Sequence, residues 1–296
     1  MFAVYKKELK SYFTSVIGWV FIAFFLILVG LYFMVYNLMN GYTNFSYVYG
    51  GVEMFFILLL VPVLTMRIVA EENRQKTDQL LYTSPVSITK IILGKYLALI
   101  TLFGIAMLVV CLYPLILSGL VKQVATGTET VDFAIAYGST LGFFLLGAAY
   151  IAIGMFISSL TESQVIAAVA SGVVMIFTYL MTSLANLLPS GHTFVFWFLA
   201  VLILILSIGL YYWIHNGWMA GIIGILAEAA LVILFLLKTE SFDGLIGRVL
   251  GAVSIVDRYD NFTYGIFDVS ALVYYISVAF LFVFITIQRI KKKRWN

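Results

Sequence analysis

Residues 16–36 read VIGWVFIAFFLILVGLYFMVY, 21 positions without a charge. A hydrocarbon core ~30 Å thick is crossed by roughly 20 apolar residues in an α-helix, so this run is long enough to span it. It lacks the apolar–polar alternation that a barrel strand needs over ~10 positions. In lipid every backbone polar group must find its partner inside the protein, which leaves the helix as the solution. The run is too long for a secretion-signal core and no small-residue cleavage pattern follows it, so it is expected to remain in the mature chain.

Working outward, seven more apolar segments appear at about 52–69, 91–118, 133–158, 164–187, 194–213, 218–237 and 269–288. The 296 residues are 63% hydrophobic and 10% charged, with a mean hydropathy of +1.08. A soluble domain carries roughly 25% charged residues, so most of this chain has lipid as its solvent. The expected fold class is all-α, a polytopic integral membrane helical bundle. It has about eight transmembrane helices, or six if 194–237 is a re-entrant hairpin about the tight turn at 214–217. No internal repeat argues for an inverted-repeat transporter, and residues 1–296 read as one transmembrane domain.

Charge placement orients the spans. With a cytoplasmic N-terminus and eight crossings, the inner side holds Lys6, Lys7, Lys10, Arg67, Arg74, Lys76, Lys90, Lys95, Arg289, Lys291, Lys292, Lys293 and Arg294. Only Lys122, Lys238, Arg248 and Arg258 fall outside. The positive-inside rule therefore puts both termini in the cytoplasm.

Three regions between spans have character. In 1–15, Phe2, Tyr5, Leu9, Tyr12 and Phe13 share one helical face and Lys6, Lys7 and Lys10 the other, the pattern of an interfacial helix. Residues 70–90 form a sizeable cytoplasmic loop. The outer loop 239–267 carries Phe242, Leu245, Ile246, Val249, Leu250 and Val253 at helical spacing, although Gly244, Gly247 and Gly251 weaken that helix.

Motifs for chemistry are absent. Gly94-Lys95 is followed by Tyr96 and lacks the upstream glycine of a phosphate loop. Zinc-ligand spacing, a dinucleotide fingerprint and a nucleophile elbow are also missing. The lone Cys111 lies in an apolar run, and His192 and His215 have no carboxylate or thiol at ligand spacing. No catalytic residue, cofactor, metal or nucleic-acid partner is expected. Glu228 is an acid midway along the seventh segment; Gly217, Gly221, Gly224 and Glu228 share one face. Small residues let helices approach, so Glu228 is expected to face protein or a wet cavity, as a functional group or a structural hydrogen-bonding one.

The loop reads EENRQKTDQLLYTSPVS over 71–87, then IILGK over 91–95. It resembles the second-to-third-span loop of ABC-2 type transporter permeases, which look like E-E-R-x-x-G-T-x-E-L-L-x-T-x-P-V-S followed by G-K. Lys76 stands where glycine is common, and Asp78-Gln79 flank the usual glutamate position. Leu146-Gly147 and the stretch Ser158–Gln164 with Ala167-Ala168 are similar to the same family. Phe262, Gly265, Asp268 and Tyr274-Tyr275 resemble its gliding-motility and nitrous-oxide-reductase maturation subgroup.

The resemblance implies a non-catalytic permease subunit that moves a substrate, more in the manner of an exporter. Its partners would be a second permease and cytoplasmic ABC ATP-binding subunits that hold the ATP and magnesium; an extracytoplasmic auxiliary subunit is a further one. The 71–81 segment would be a short coupling helix, with Leu80 and Leu81 as apolar anchors and Glu71, Glu72, Arg74, Thr77 and Asp78 as polar contacts. Asn73 and Gln75 would matter less. The alternative is an ATPase-independent channel or secondary transporter, for which Glu228 is the intramembrane polar candidate.

Overall fold

A computed structural model describes residues 1–77, 86–124, 130–214 and 217–295. Among them the regular elements are all helical. The first are α1 (Phe2–Thr14), α2 (Val16–Phe33), α3 (Ser46–Phe55), α4 (Val61–Thr65) and α5 (Ala70–Gln75). Then come α6 (Ile88–Val110), α7 (Tyr113–Val124), α8 (Phe133–Ser158), α9 (Gln164–Leu187), α10 (His192–Ile214) and α11 (Gly217–Leu237). The last are α12 (Leu245–Val253), α13 (Asp260–Thr263) and α14 (Val269–Trp295). Wider π-helical turns, Met34–Met39 and Phe56–Leu60, continue α2 and α3.

Seven helical stretches among the described residues are long and apolar enough to cross a membrane: Val16–Met39, Ser46–Gln75, Ile88–Lys122, Phe133–Ser158, Gln164–Met181, His192–Gly209 and Val269–Lys293. The chain is thus a polytopic membrane bundle. The expected count was eight. The seventh expected segment, 218–237, is helical as α11, Gly217–Leu237; within the described residues its apolar stretch, Gly221–Leu237, is shorter than the other seven. Expected segment 91–118 is broken at Cys111-Leu112 into α6 and α7. Pro114 explains the break: its ring crowds the carbonyl of Val110, four residues back, and it has no N–H to continue the ladder.

The chain forms two compact units, Met1–Tyr179 with Ile255–Asn296, and Leu180–Ser254. In the first, α8 is the central helix, packed by α3, α4, α6, α13 and α14. Small residues make that possible. A Cβ on Gly154 would lie 2.3 Å from Thr65 Oγ1, so α4 and α8 approach more closely than any side chain would allow. Around them Phe25, Phe56, Phe103 and Phe143 form a ring cluster, with Phe56 centred 4.9 Å from Phe103 and 5.0 Å from Phe143. Edge and offset contacts of this kind hold helices together in a solvent as apolar as themselves. Phe280 and Val165 turn outward, at 71% and 72% exposure, as lipid-facing residues do.

In the second unit α10 and α11 pack on each other. Val195, Leu231, Phe242 and Ile246 make its core. The amphipathic helix expected over 242–253 is present as a 3₁₀ turn at Thr239–Phe242 followed by α12. Val249 and Val253 on the same stripe stay exposed.

Candidate functional site

The segment of the resemblance starts on α5, six residues long. Glu71 and Glu72 occupy its first turn and Arg74 its last, the polarity that suits a helix dipole. So short a helix is not stable by itself; neighbours hold it. Ser158, at the end of α8, accepts hydrogen bonds from the backbone N–H groups of Val69 (3.3 Å) and Ala70 (3.1 Å). It also donates to the Met66 carbonyl at 3.0 Å. The start of α5 is thereby fastened to α8.

The end of α5 closes in a Schellman turn. The Thr77 N–H donates to the Glu72 carbonyl at 3.1 Å and that of Lys76 to the Asn73 carbonyl at 3.3 Å. Lys76 sits in the left-handed region, φ +54°, the one non-glycine residue to do so among the described residues. That is where the resembling family commonly has glycine, and the backbone explains why. Lys76→Gly is therefore expected to raise stability by about 1 kcal/mol, and Lys76→Val to lower it. Thermal unfolding of the purified variants checks the sign.

Four charges meet beneath α5. Lys95 of α6 is 1% exposed. Its Nζ lies 2.8 Å from Glu72 Oε1 and 3.3 Å from Glu8 Oε1, and donates to the Ile68 carbonyl at 2.8 Å. Lys7 Nζ is 3.2 Å from both carboxylates. Two acids and two bases balance, which is how charge is tolerated away from water. Burial opposes the charge on Lys7, but Glu8 and Glu72 outweigh it and hold its pKa above the usual lysine value. A raised lysine pKa stabilises below the unfolded value of 10.5 and is lost only as pH climbs past it, so the contact is complete at neutral pH.

The cluster ties α1, α5 and α6 together, and α1 can reach it because of Gly94. A Cβ there would lie 3.0 Å from the Met1 carbonyl oxygen and 3.2 Å from the Tyr5 nitrogen. Gly94 admits the backbone of α1 and Lys95 then engages its acid. The Gly-Lys pair is a packing-and-pairing device.

This changes the reading of α1. The face turned to protein is Val4, Glu8 and Tyr12, at i, i+4 and i+8. Tyr12, assigned above to the membrane face, is 3% exposed and donates its hydroxyl to the Leu64 carbonyl at 3.0 Å. Phe2 is 73% exposed. Asn73 also departs from expectation. It is buried, donates to the Thr161 carbonyl at 3.4 Å and accepts from Lys293 Nζ at 3.1 Å, so α5 is fastened to α14 as well.

Of the other residues read from sequence, Glu71 pairs with Gln75 along α5, and Arg74 and Thr77 are exposed. A groove of about 310 Å³ runs beside them, with Lys7, Ser11, Arg67, Glu71, Gln75 and Thr77 on its walls. Asp78, Leu80 and Leu81 lie outside the described residues. Glu228 is half-buried on α11, and Gly224 of the same face lies against Ser207 of α10. Sequence reasoning missed Glu8 and Lys95. The signal for Glu8 was a lone acid in a basic helix, four residues from Val4 and from Tyr12.

No group of three His, Cys, Asp or Glu side chains that could hold a metal ion occurs among the described residues. The fold is thus a bundle of membrane helices with a short, multiply fastened helix between two spans. A family model described as "ABC-2 family transporter protein" matches residues 2–190, and the chain belongs to that family. Neither the curated proteins nor the solved structures contain a match.

Proposed function

We propose that this chain is the permease subunit of an ATP-driven exporter in the cytoplasmic membrane of a prokaryote, with both termini cytoplasmic. It pairs with a second permease and with two ATP-binding subunits that carry the ATP and magnesium. The subgroup it resembles most is that of the gliding-motility and nitrous-oxide-reductase maturation permeases, and an extracytoplasmic auxiliary subunit fits the outer loop 239–267. The substrate path runs through the membrane domain, with Glu228 a polar candidate on it.

One observation carries this reading: α5 is fastened to α1, α6, α8 and α14 at once. A segment that merely connects two spans needs none of these ties. A segment that receives force from an ATPase and passes it to several helices needs all of them. The apolar end of the motif, Leu80 and Leu81, supplies the anchor for the ATPase.

The test is capture of the cognate ATP-binding subunit by the purified permease. Leu80→Asp or Leu81→Asp, whichever faces the docking groove, is expected to cost about 2 kcal/mol or more, roughly thirtyfold in affinity. Membrane insertion should be normal, since neither residue lies in a span. Wild-type capture and ATP-coupled transport by both variants would reduce the loop to a linker and leave the coupling role of 71–81 without physical support.

A further inference from the structure

A second buried acid lies in the first unit and takes no part in the α5 cluster. Glu53 of α3 is 7% exposed, and its Oε1 has no hydrogen-bond partner. The π-helical turn Phe56–Leu60 begins three residues later; such turns concentrate at functional sites. Glu53 lines a cavity of about 360 Å³ formed by the end of α2, the start of α3 and α13. Tyr36, Tyr47, Tyr259 and Tyr264 face the same space, with Tyr36 and Tyr47 centred 6.4 Å apart.

The lining is acidic. Asp260 is the second carboxylate, and the residues around the cavity include no lysine, arginine or histidine. Burial, and then Asp257 nearby, push the Asp260 pKa above its ordinary value. Arg258, adjacent in sequence, lies instead over the Tyr274 ring, 4.9 Å from its centroid. A carboxylate held from water without a partner is strongly unfavourable, and a cation seated in this cavity would relieve that cost.

The shape of the site selects among cations. A bare metal ion calls for several convergent ligands, and no group of three such side chains occurs among the described residues. The cavity is also far larger than one ion. Tyrosine faces attract alkylammonium groups through the ring quadrupole, and a carboxylate supplies the counter-charge. We propose that the Glu53 cavity binds an organic ammonium group, with Glu53 as its counter-ion and Asp260 at the mouth. That this cation is the cargo, or part of it, rests on the transport reading above; the binding itself does not.

The experiment uses the full chain in lipid nanodiscs without any ATPase. Tetramethylammonium chloride and butylammonium chloride are titrated by calorimetry, with sodium chloride at equal ionic strength as the control. The parent should bind at least one of the ammonium salts and show no matching heat with sodium. Glu53→Gln should weaken binding by about tenfold or more, as loss of one partner of a desolvated charge pair does. Asp260→Asn, an exposed change with little bearing on folding, should weaken it by a few-fold. Leu80→Asp should bind the ammonium salts like the parent, so a failed coupling loop and a failed cation site give different results. No ammonium binding by the parent, equal binding by both cavity variants, or the same signal from sodium chloride would overturn the proposal. If Glu53→Gln does not yield folded protein, Asp260→Asn and Tyr47→Leu decide the matter by the same criterion.

Discussion

Lys95→Met is expected to lower the thermal midpoint of the purified permease by on the order of 10 °C, from a loss of roughly 3–5 kcal/mol at about 2–4 °C per kcal/mol. Lys95 is 1% exposed and its ammonium is shared between Glu72, Glu8 and the Ile68 carbonyl. Methionine fills the same space but leaves two carboxylates facing each other, with Lys7 as the remaining base. Lys7 is a weak substitute, since its side chain is 59% exposed and its pairs are screened by water. Lys7→Met should therefore be mild, below about 1 kcal/mol.

The same logic predicts partial rescue. Glu8→Gln with Glu72→Gln in the Lys95→Met background removes the orphaned charges and should recover much of the loss. Because the cluster ties α5 to α1 and α6, Lys95→Met should also weaken capture of the ATP-binding subunit, which a purely local fault would not do. If Lys95→Met is no more harmful than Lys7→Met, the cluster does not hold α5.

Gly94→Leu should separate α1 from α6. The nearest atoms to a Cβ at this position belong to the backbone of α1, the Met1 oxygen at 3.0 Å and the Tyr5 nitrogen at 3.2 Å. Backbone cannot rotate aside as a long side chain does, so the helix itself must move and carry Glu8 away from Lys95. Overpacking of this kind costs about 1–3 kcal/mol, and the disturbed ion pairs add to it. Gly94→Ala, which needs a shift of only a few tenths of an ångström, should fall between. Gly138→Leu is the control, since nothing lies within 4 Å of a Cβ there. Thermal unfolding and ATPase capture are again the measures, and a Gly94→Leu protein that behaves like Gly138→Leu would remove Gly94 from the site.

The membrane class was legible because it depends on composition along single segments. Runs such as 16–36 and 133–158 announce their helices without reference to anything else. The Pro114 break in 91–118 is equally local. Lys76 is an intermediate case: its departure from the family pattern was visible, but the reason is a backbone angle of φ +54° that no residue type declares.

The site itself was legible only in part. Glu71, Glu72, Arg74 and Thr77 stand in one contiguous motif, and of them Glu72 joins the charge cluster. Glu8 and Lys95 lie 87 positions apart, and nothing in either local pattern says that they meet. Glu53 stands at the start of the apolar segment 52–69, and nothing local to it says that α13 and the tyrosines line the same cavity.

Helical periodicity, span length and charge bias act within one segment, and so the all-α membrane class and the motif that marks the family follow from order along the chain. Which face of α1 meets protein, which charges pair and which acid is left without a partner depend on where separate helices cross. Those crossings are decided by small residues such as Gly94 and Gly154, because in lipid the apolar faces have no preference for one another and close packing selects the neighbours.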